Sequence, residues 1–130
     1  MPPSKPRVVV ITGPTASGKS SVAVELAERF HGETVSADSI QVYRHMDIGS
    51  AKPTRAERAR VPHHMIDIRD PDEPFSAGDY VTEGRECIRG ISARGRTAFV
   101  VGGTGLYIRT LLGGIIGLPP SDPGLRASLR

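Results

Sequence analysis

Tryptophan is absent, cysteine occurs once, and aromatic residues make up only 5% of the 130-residue chain. The lone Cys87 excludes an internal disulfide and fits a reducing compartment such as the cytoplasm. A small, buried helix position is the expectation for it. No apolar run approaches the ~20 residues that a membrane-spanning helix needs, and the stretch from Leu111 to Leu118 is broken by glycines. A strong charge of either sign is also lacking: 17 Lys and Arg stand against 14 Asp and Glu, a net +3. Such a balance permits a nucleic-acid partner without arguing for one. Lys5 and Arg7 precede an apolar stretch, but that stretch is too short for a signal peptide and runs straight into a glycine-rich turn. Repeats and low-complexity segments are missing. With 38% hydrophobic and 24% charged residues, positions 1–130 read as one soluble α/β domain with a loose lead-in over 1–6.

Glycine, by contrast, is well supplied, and its placement is informative. Gly13-Pro14-Thr15-Ala16-Ser17-Gly18-Lys19-Ser20 fills the template G-x-x-x-x-G-K-[ST] at every fixed position, directly after the apolar run Val8 to Ile11. A buried strand, a glycine-bounded turn and a helix together aim backbone N–H groups at phosphate oxygens. Lys19 has the reach for a terminal phosphate, and the Ser20 hydroxyl is suited to a magnesium ion. The cradle is expected to hold a di- or triphosphate. Thr15 and Ser17 are expected to act through their amides.

The rest of the chain alternates. Val22, Leu26 and Phe30 recur every four residues beside Ala23 and Ala27, predicting a helix with that face buried and Gly32 as its stop. Thr34 to Ser36 predicts a second strand. Thr54 and Glu57 have capping-box spacing for a short helix ending before Pro62, and Ser76 and Asp79 repeat the device. The second of these helices carries Tyr80, Cys87, Ile88 and Ile91 and ends near Gly95. Met65 to Ile68 alternates like a strand, and Thr97 to Val101 reads as a strand buried on both faces. Gly102 to Gly105 then leads into a helix over Leu106 to Leu112. Alternating strands and helices predict a parallel sheet of the P-loop NTPase-like class, flanked by helices. Ligands of such sheets lie beyond the carboxyl ends of the strands. The glycine-rich loop, the segment at Asp38 and the Gly102–Thr104 turn all follow strands, so all three are expected around one crevice. Asp122-Pro123 reads as the start of a further helix carrying Leu125 and Leu129, which suggests a chain continuing into a longer protein. A sheet lacking its last strand would leave an edge and an apolar face uncovered, so a fold of marginal stability is expected.

The strand ending in Val101-Gly102-Gly103 supplies no acid for magnesium, and Asp67 falls inside its expected strand, which favours a structural role. Asp38 is better placed. A carboxylate above the phosphate cradle can order magnesium-bound water or take a proton from a nucleophile; the blander alternative is a turn residue that caps its neighbours. Adjacent His63 and His64 point to opposite faces of a strand, which favours structural hydrogen bonds over a shared metal. Arg55, Arg58 and Arg60 suit RNA phosphates or a solvated helix face equally well.

Four blocks together resemble the tRNA dimethylallyltransferase (isopentenyltransferase) family. They are Ser36 to Arg44, Met46 to Pro53, Pro62 to Asp67, and Val101 to Tyr107, in order along a resemblance that runs from Val8 to about Arg126. The resemblance implies transfer of a dimethylallyl group from dimethylallyl pyrophosphate to N6 of an adenine beside the anticodon of a tRNA. Gly13 to Ser20 would then hold the pyrophosphate, with Mg2+ on Ser20 and a possible second ligand in Asp38. Asp38, Lys19 and Thr104 form the implied catalytic set. Asp38, Ser39, Ile40, Gln41, Thr104 and Arg126 form the implied tRNA contacts, with Gln41 carrying an amide able to pair with an adenine edge. Thr104 alone is equally a helix cap. A cytoplasmic monomer is the accompanying expectation. Two other chemistries stay open: a P-loop small-molecule kinase using ATP, for which no acceptor site is evident, and an isopentenyltransferase acting on free adenine nucleotides. Family members are considerably longer, so a piece that binds pyrophosphate without turnover is a third reading.

Overall fold

The structure is a computed structural model that describes residues 7–12, 19–45, 52–103 and 105–115. Four strands, β1 (Val8–Ile11), β2 (Gly32–Ser36), β3 (His63–His64) and β4 (Thr97–Val101), form one parallel sheet in the order β1-β4-β2-β3. Between them run α1 (Lys19–Arg29), α2 (Arg55–Arg60) and α3 (Ala77–Ala93), and α4 (Gly105–Ile115) follows β4. The central strands β2 and β4 are apolar or buried throughout their middles, as strands covered on both faces must be. On one face Val35, Val100 and Ala98 pack with Tyr80, Ile88 and Ile91 of α3 and Ile108, Leu111 and Leu112 of α4. On the other, Phe99 packs with Val24 and Ala27 of α1 and with Val61.

Both capping boxes form as expected. Thr54 and Ser76 each accept from the backbone three residues on, and Glu57 and Asp79 reach back to the cap amides. The helix after β4 begins and ends beyond the expected Leu106 to Leu112, and β2 starts two residues before Thr34.

Three expectations need correction. First, α1 buries Ala23, Val24 and Ala27, while Val22 and Phe30 are 50% and 58% exposed. Small residues let the helix lie close on β2 and β4, so the alanine side wins over the bulkier stripe. Second, Gly32 does not stop α1. The chain turns at His31, which has φ 54°, and Gly32 is already in β2. A Cβ at Gly32 would stand 2.8 Å from the Thr97 carbonyl oxygen and against the Phe99 ring, so the glycine serves close approach of strands. Third, Met65 to Ile68 is no strand. Met65 and Asp67 have φ of 68° and 56°, which breaks the pleat; pairing is confined to His63–His64, with one further bridge between Tyr43 and Arg69.

The histidines meet separate partners. His63 Nδ1 donates to the Val61 carbonyl (2.9 Å), and His64 Nε2 pairs with Glu33 (2.7 Å). Glu33, 3% exposed at its side chain, also takes two bonds from Arg94 and lies 3.7 Å from Arg96. Cys87 is half-buried rather than buried, and burial pushes its thiol up. No helix among the described residues is long and apolar enough to cross a membrane.

Candidate functional site at the carboxyl ends of the strands

Ile11 and Ser36 are both in register with Val101, so β1, β4 and β2 finish level. Backbone bonds then join the three exits. Gly102 N–H donates to the Ile11 carbonyl (3.1 Å), and Ala37 N–H donates to the Val101 carbonyl (2.8 Å). Gly102 has no room for a side chain, since a Cβ there would stand 2.6 Å from the Ala37 carbonyl carbon and closer still to its oxygen. The exits of β1, β4 and β2 therefore lie side by side, while the glycine-rich loop expected after β1 lies outside the described residues.

Asp38 follows at once on β2. Its Oδ1 accepts from the backbone N–H of Ile40 (2.8 Å) and of Gln41 (3.2 Å). Those bonds make the turn reading of Asp38 correct as local structure, and they fix the carboxylate at the strand end. Ser36, 4% exposed, donates its hydroxyl to Gln41 Oε1 at 2.9 Å. Ser39 and Ile40 are exposed at the tip of the turn. Tyr107 of α4 stacks on Tyr80 of α3, with ring centroids 4.3 Å apart and planes 16° apart. Burial, with Tyr43, Asp38 and Asp79 as its charged or ionisable neighbours, pushes the Tyr107 phenol up.

Of the expected site residues, Gly13, Pro14, Thr15, Ala16, Ser17, Gly18, Thr104 and Arg126 lie outside the described residues. Lys19 and Ser20 open α1, whose N-terminus follows the β1 exit, and are described through their backbone alone. Asp38, Ser39, Ile40 and Gln41 are brought together in one turn. The arginines of α2 divide: Arg60 makes two bonds to Glu28 and Arg58 binds Asp67 at 2.8 Å, so both sit in ion pairs within the protein. No group of three His, Cys, Asp or Glu side chains among the described residues is arranged to hold a metal.

Sequence reasoning gave Lys52 no role. Its ammonium binds Asp67 Oδ1 (2.6 Å) and the Tyr43 carbonyl (2.7 Å), and its side chain is 7% exposed. The sole available signal was a lysine directly before Pro53 in an aperiodic stretch.

A parallel sheet covered by helices, with the Asp38 turn beyond the carboxyl ends of level strands, defines an α/β protein of the class that binds ligands at those ends. The chain belongs to the IPP transferase family, whose model matches residues 41–130; the model described as isopentenyl transferase matches residues 6–73. Among curated relatives, a tRNA dimethylallyltransferase 1 of Citrifermentans bemidjiense is 58% identical over 94% of this chain and 40% of its own length. One of the same description from Syntrophotalea carbinolica is 57% identical over 96% and 40%. The chain therefore spans about two-fifths of the length of these relatives. The full-length tRNA isopentenylpyrophosphate transferase of Bacillus halodurans superposes with a TM-score of 0.81 at 51% identity, over 85% of this chain and 36% of that one. A eukaryotic dimethylallyltransferase crystallised acting on tRNA gives a TM-score of 0.77 at 39% identity, over 83% and 27%.

Proposed function

We propose that the chain carries the pyrophosphate cradle and acceptor-base pocket of a tRNA dimethylallyltransferase, which joins the dimethylallyl group of its pyrophosphate to N6 of an adenine next to the anticodon. The observation that carries this reading is the juxtaposition of the β1 exit with the Asp38 turn across Gly102 and Ala37. It brings the β1 exit, from which the phosphate-binding loop is proposed to run, and the Asp38 carboxylate to one end of the sheet, an arrangement that supports transfer from a pyrophosphate to an amine. The identity with tRNA-modifying relatives supports the choice of acceptor.

In this reading the allylic C–O bond breaks, and the pyrophosphate departs with the bonding electrons. Amides of 13–18, the Lys19 ammonium and the N-terminus of α1 stabilise that charge. The adenine N6 forms the new C–N bond and gives up one proton. Asp38 accepts the hydrogen bond from N6 and then that proton, a role worth typically ~10²–10⁴ in rate. The amide of Gln41, held by Ser36, faces the base. The adenine must leave the loop stack to reach this pocket. The donor set at the cradle is all oxygen, namely the Ser20 hydroxyl, the Asp38 carboxylate and the pyrophosphate itself, which fits a hard cation such as Mg2+. Bound there, magnesium would neutralise charge on the leaving group. A cytoplasmic monomer is part of the same proposal.

The test is a calorimetric titration of the chain with dimethylallyl pyrophosphate and, separately, ATP, each with magnesium, followed by transfer to a tRNA transcript. Preference for the prenyl pyrophosphate is the expected result. Preference for ATP would move the site to phosphoryl transfer and overturn the reading.

A further inference from the structure

The turn that holds Asp38 and Gln41 is gripped from behind by a second set of residues. Lys52 Nζ donates to the Tyr43 carbonyl (2.7 Å) and to Asp67 Oδ1 (2.6 Å), and Asp67 Oδ2 accepts from Arg58 (2.8 Å). The Asp67 backbone N–H donates to the Gln41 carbonyl (3.0 Å). Ile68 and Arg69 donate to the Val42 carbonyl at 2.8 and 3.0 Å, and Arg44 donates to the Arg69 carbonyl at 2.8 Å. The segment after the turn is therefore strapped to residues 67–69, and Asp67 holds it through both main chain and side chain.

Two features make this grip unlike ordinary packing. Asp67 lies at φ 56°, a region that non-glycine residues seldom occupy and that Asp and Asn tolerate best. The Lys52 ammonium is almost wholly enclosed, a costly state that an apolar pair of similar size would avoid. What the ammonium supplies and an apolar group cannot is a directed, charge-assisted bond to one backbone carbonyl, here that of Tyr43. Tyr43 and Gln41 follow directly on the Asp38 turn, so a fixed Tyr43 carbonyl fixes the far end of that turn.

We propose that Lys52 and Asp67 are positioning residues for the acceptor pocket, acting through the Gln41–Tyr43 backbone to hold the Asp38 carboxylate and Gln41 amide in place at the end of β2. The inference rests on the functional reading of Asp38 given above.

The test uses the chain as it stands and reads amide hydrogen exchange by NMR for Lys52→Met, Asp67→Asn and the double variant. Asp67→Asn keeps a residue suited to the left-handed backbone and removes only the charge. In both single variants the amides of Ile40, Gln41 and Asp67 should exchange roughly tenfold faster or more. Val35 and Val100 amides in the central strands should exchange as in the parent. The double variant, freed of the Lys52 ammonium that Asp67→Asn leaves without its carboxylate, should regain thermal stability relative to Asp67→Asn yet keep the fast exchange at the turn. Affinity for inorganic pyrophosphate with magnesium should stay within about twofold, since the contacts described for the two residues run to 41–43 and Arg58 and not to the β1 exit. Unchanged exchange at Ile40 and Gln41, or exchange that recovers together with stability in the double variant, would overturn the proposal. Loosening of the turn beside an Asp38→Asn variant that transfers normally would leave the grip intact and refute the role given to Asp38 instead.

Discussion

Gly102 and Ala37 touch through their backbones, with no space between them for a Cβ on Gly102. This contact joins the exit of β4 to the exit of β2 and so, with the Gly102–Ile11 bond, sets the distance from the β1 exit to Asp38. Gly102→Ala should push the two turns apart. Overpacking at a backbone contact costs about 1–3 kcal/mol or more, which a urea titration would read as a lowered midpoint at constant slope. Pyrophosphate-dependent transfer should fall further than stability alone accounts for. A variant with the parent midpoint would show that the turns yield without cost.

Asp38 holds its turn through its carboxylate and, in the proposed reaction, accepts the N6 proton; two substitutions divide these roles. Asp38→Asn can keep the bonds from Ile40 and Gln41 N–H while losing the capacity to accept a proton. Asp38→Ala loses both. Each should lower transfer by ~10²–10⁴, with pyrophosphate affinity retained. Equal loss of affinity and transfer in both would make Asp38 chiefly a magnesium ligand.

Glu33 sets an acid limit on the fold. Bonds from Arg94 hold its carboxyl at about 2, against 4.5 when free, with burial opposing and His64 assisting. Its folded value is depressed, so the stabilisation is complete above the free value and is lost as pH falls through about 2. The stability gap between the parent and Glu33→Gln should shrink across this window by about 2–3 kcal/mol. Denaturant midpoints measured at pH 6 and pH 3 test this; a constant gap would refute it.

The orientation of α1 makes a contrasting pair of expectations. Phe30→Ser removes an exposed ring and should change stability by less than about 0.5 kcal/mol. Ala27→Leu adds bulk where the helix lies on Phe99 and should cost about 1–3 kcal/mol. Thermal unfolding of both variants decides between the observed face and the Val22–Leu26–Phe30 face.

These residues also show what the sequence could disclose. Thr54 with Glu57 and Ser76 with Asp79 act within a single turn of chain, so local spacing suffices to place their helices. Thr97 to Val101 is apolar because β4 is covered on both sides, and its bounds follow directly. The Asp38 turn was legible from its position after a strand. The face of α1 was not, because periodicity reports bulk and the sheet selected closeness instead. Met65 and Ile66 are both buried, at 3% and 7% exposure, by a path that strand periodicity does not describe. Lys52 was silent for another reason: its partners Tyr43 and Asp67 lie nine and fifteen residues away in loops, where no spacing rule applies.

The strand order β1-β4-β2-β3 has a consequence for synthesis. β1 and β2 are consecutive in the chain yet never pair; each pairs with β4, which begins 61 residues after β2 ends and 86 after β1 ends. Such long-range pairings come late and leave earlier strands waiting. On the ribosome, the β1 exit and the Asp38 turn are not joined until Val101 has emerged, so the nascent chain brings these two strand ends together in a single insertion.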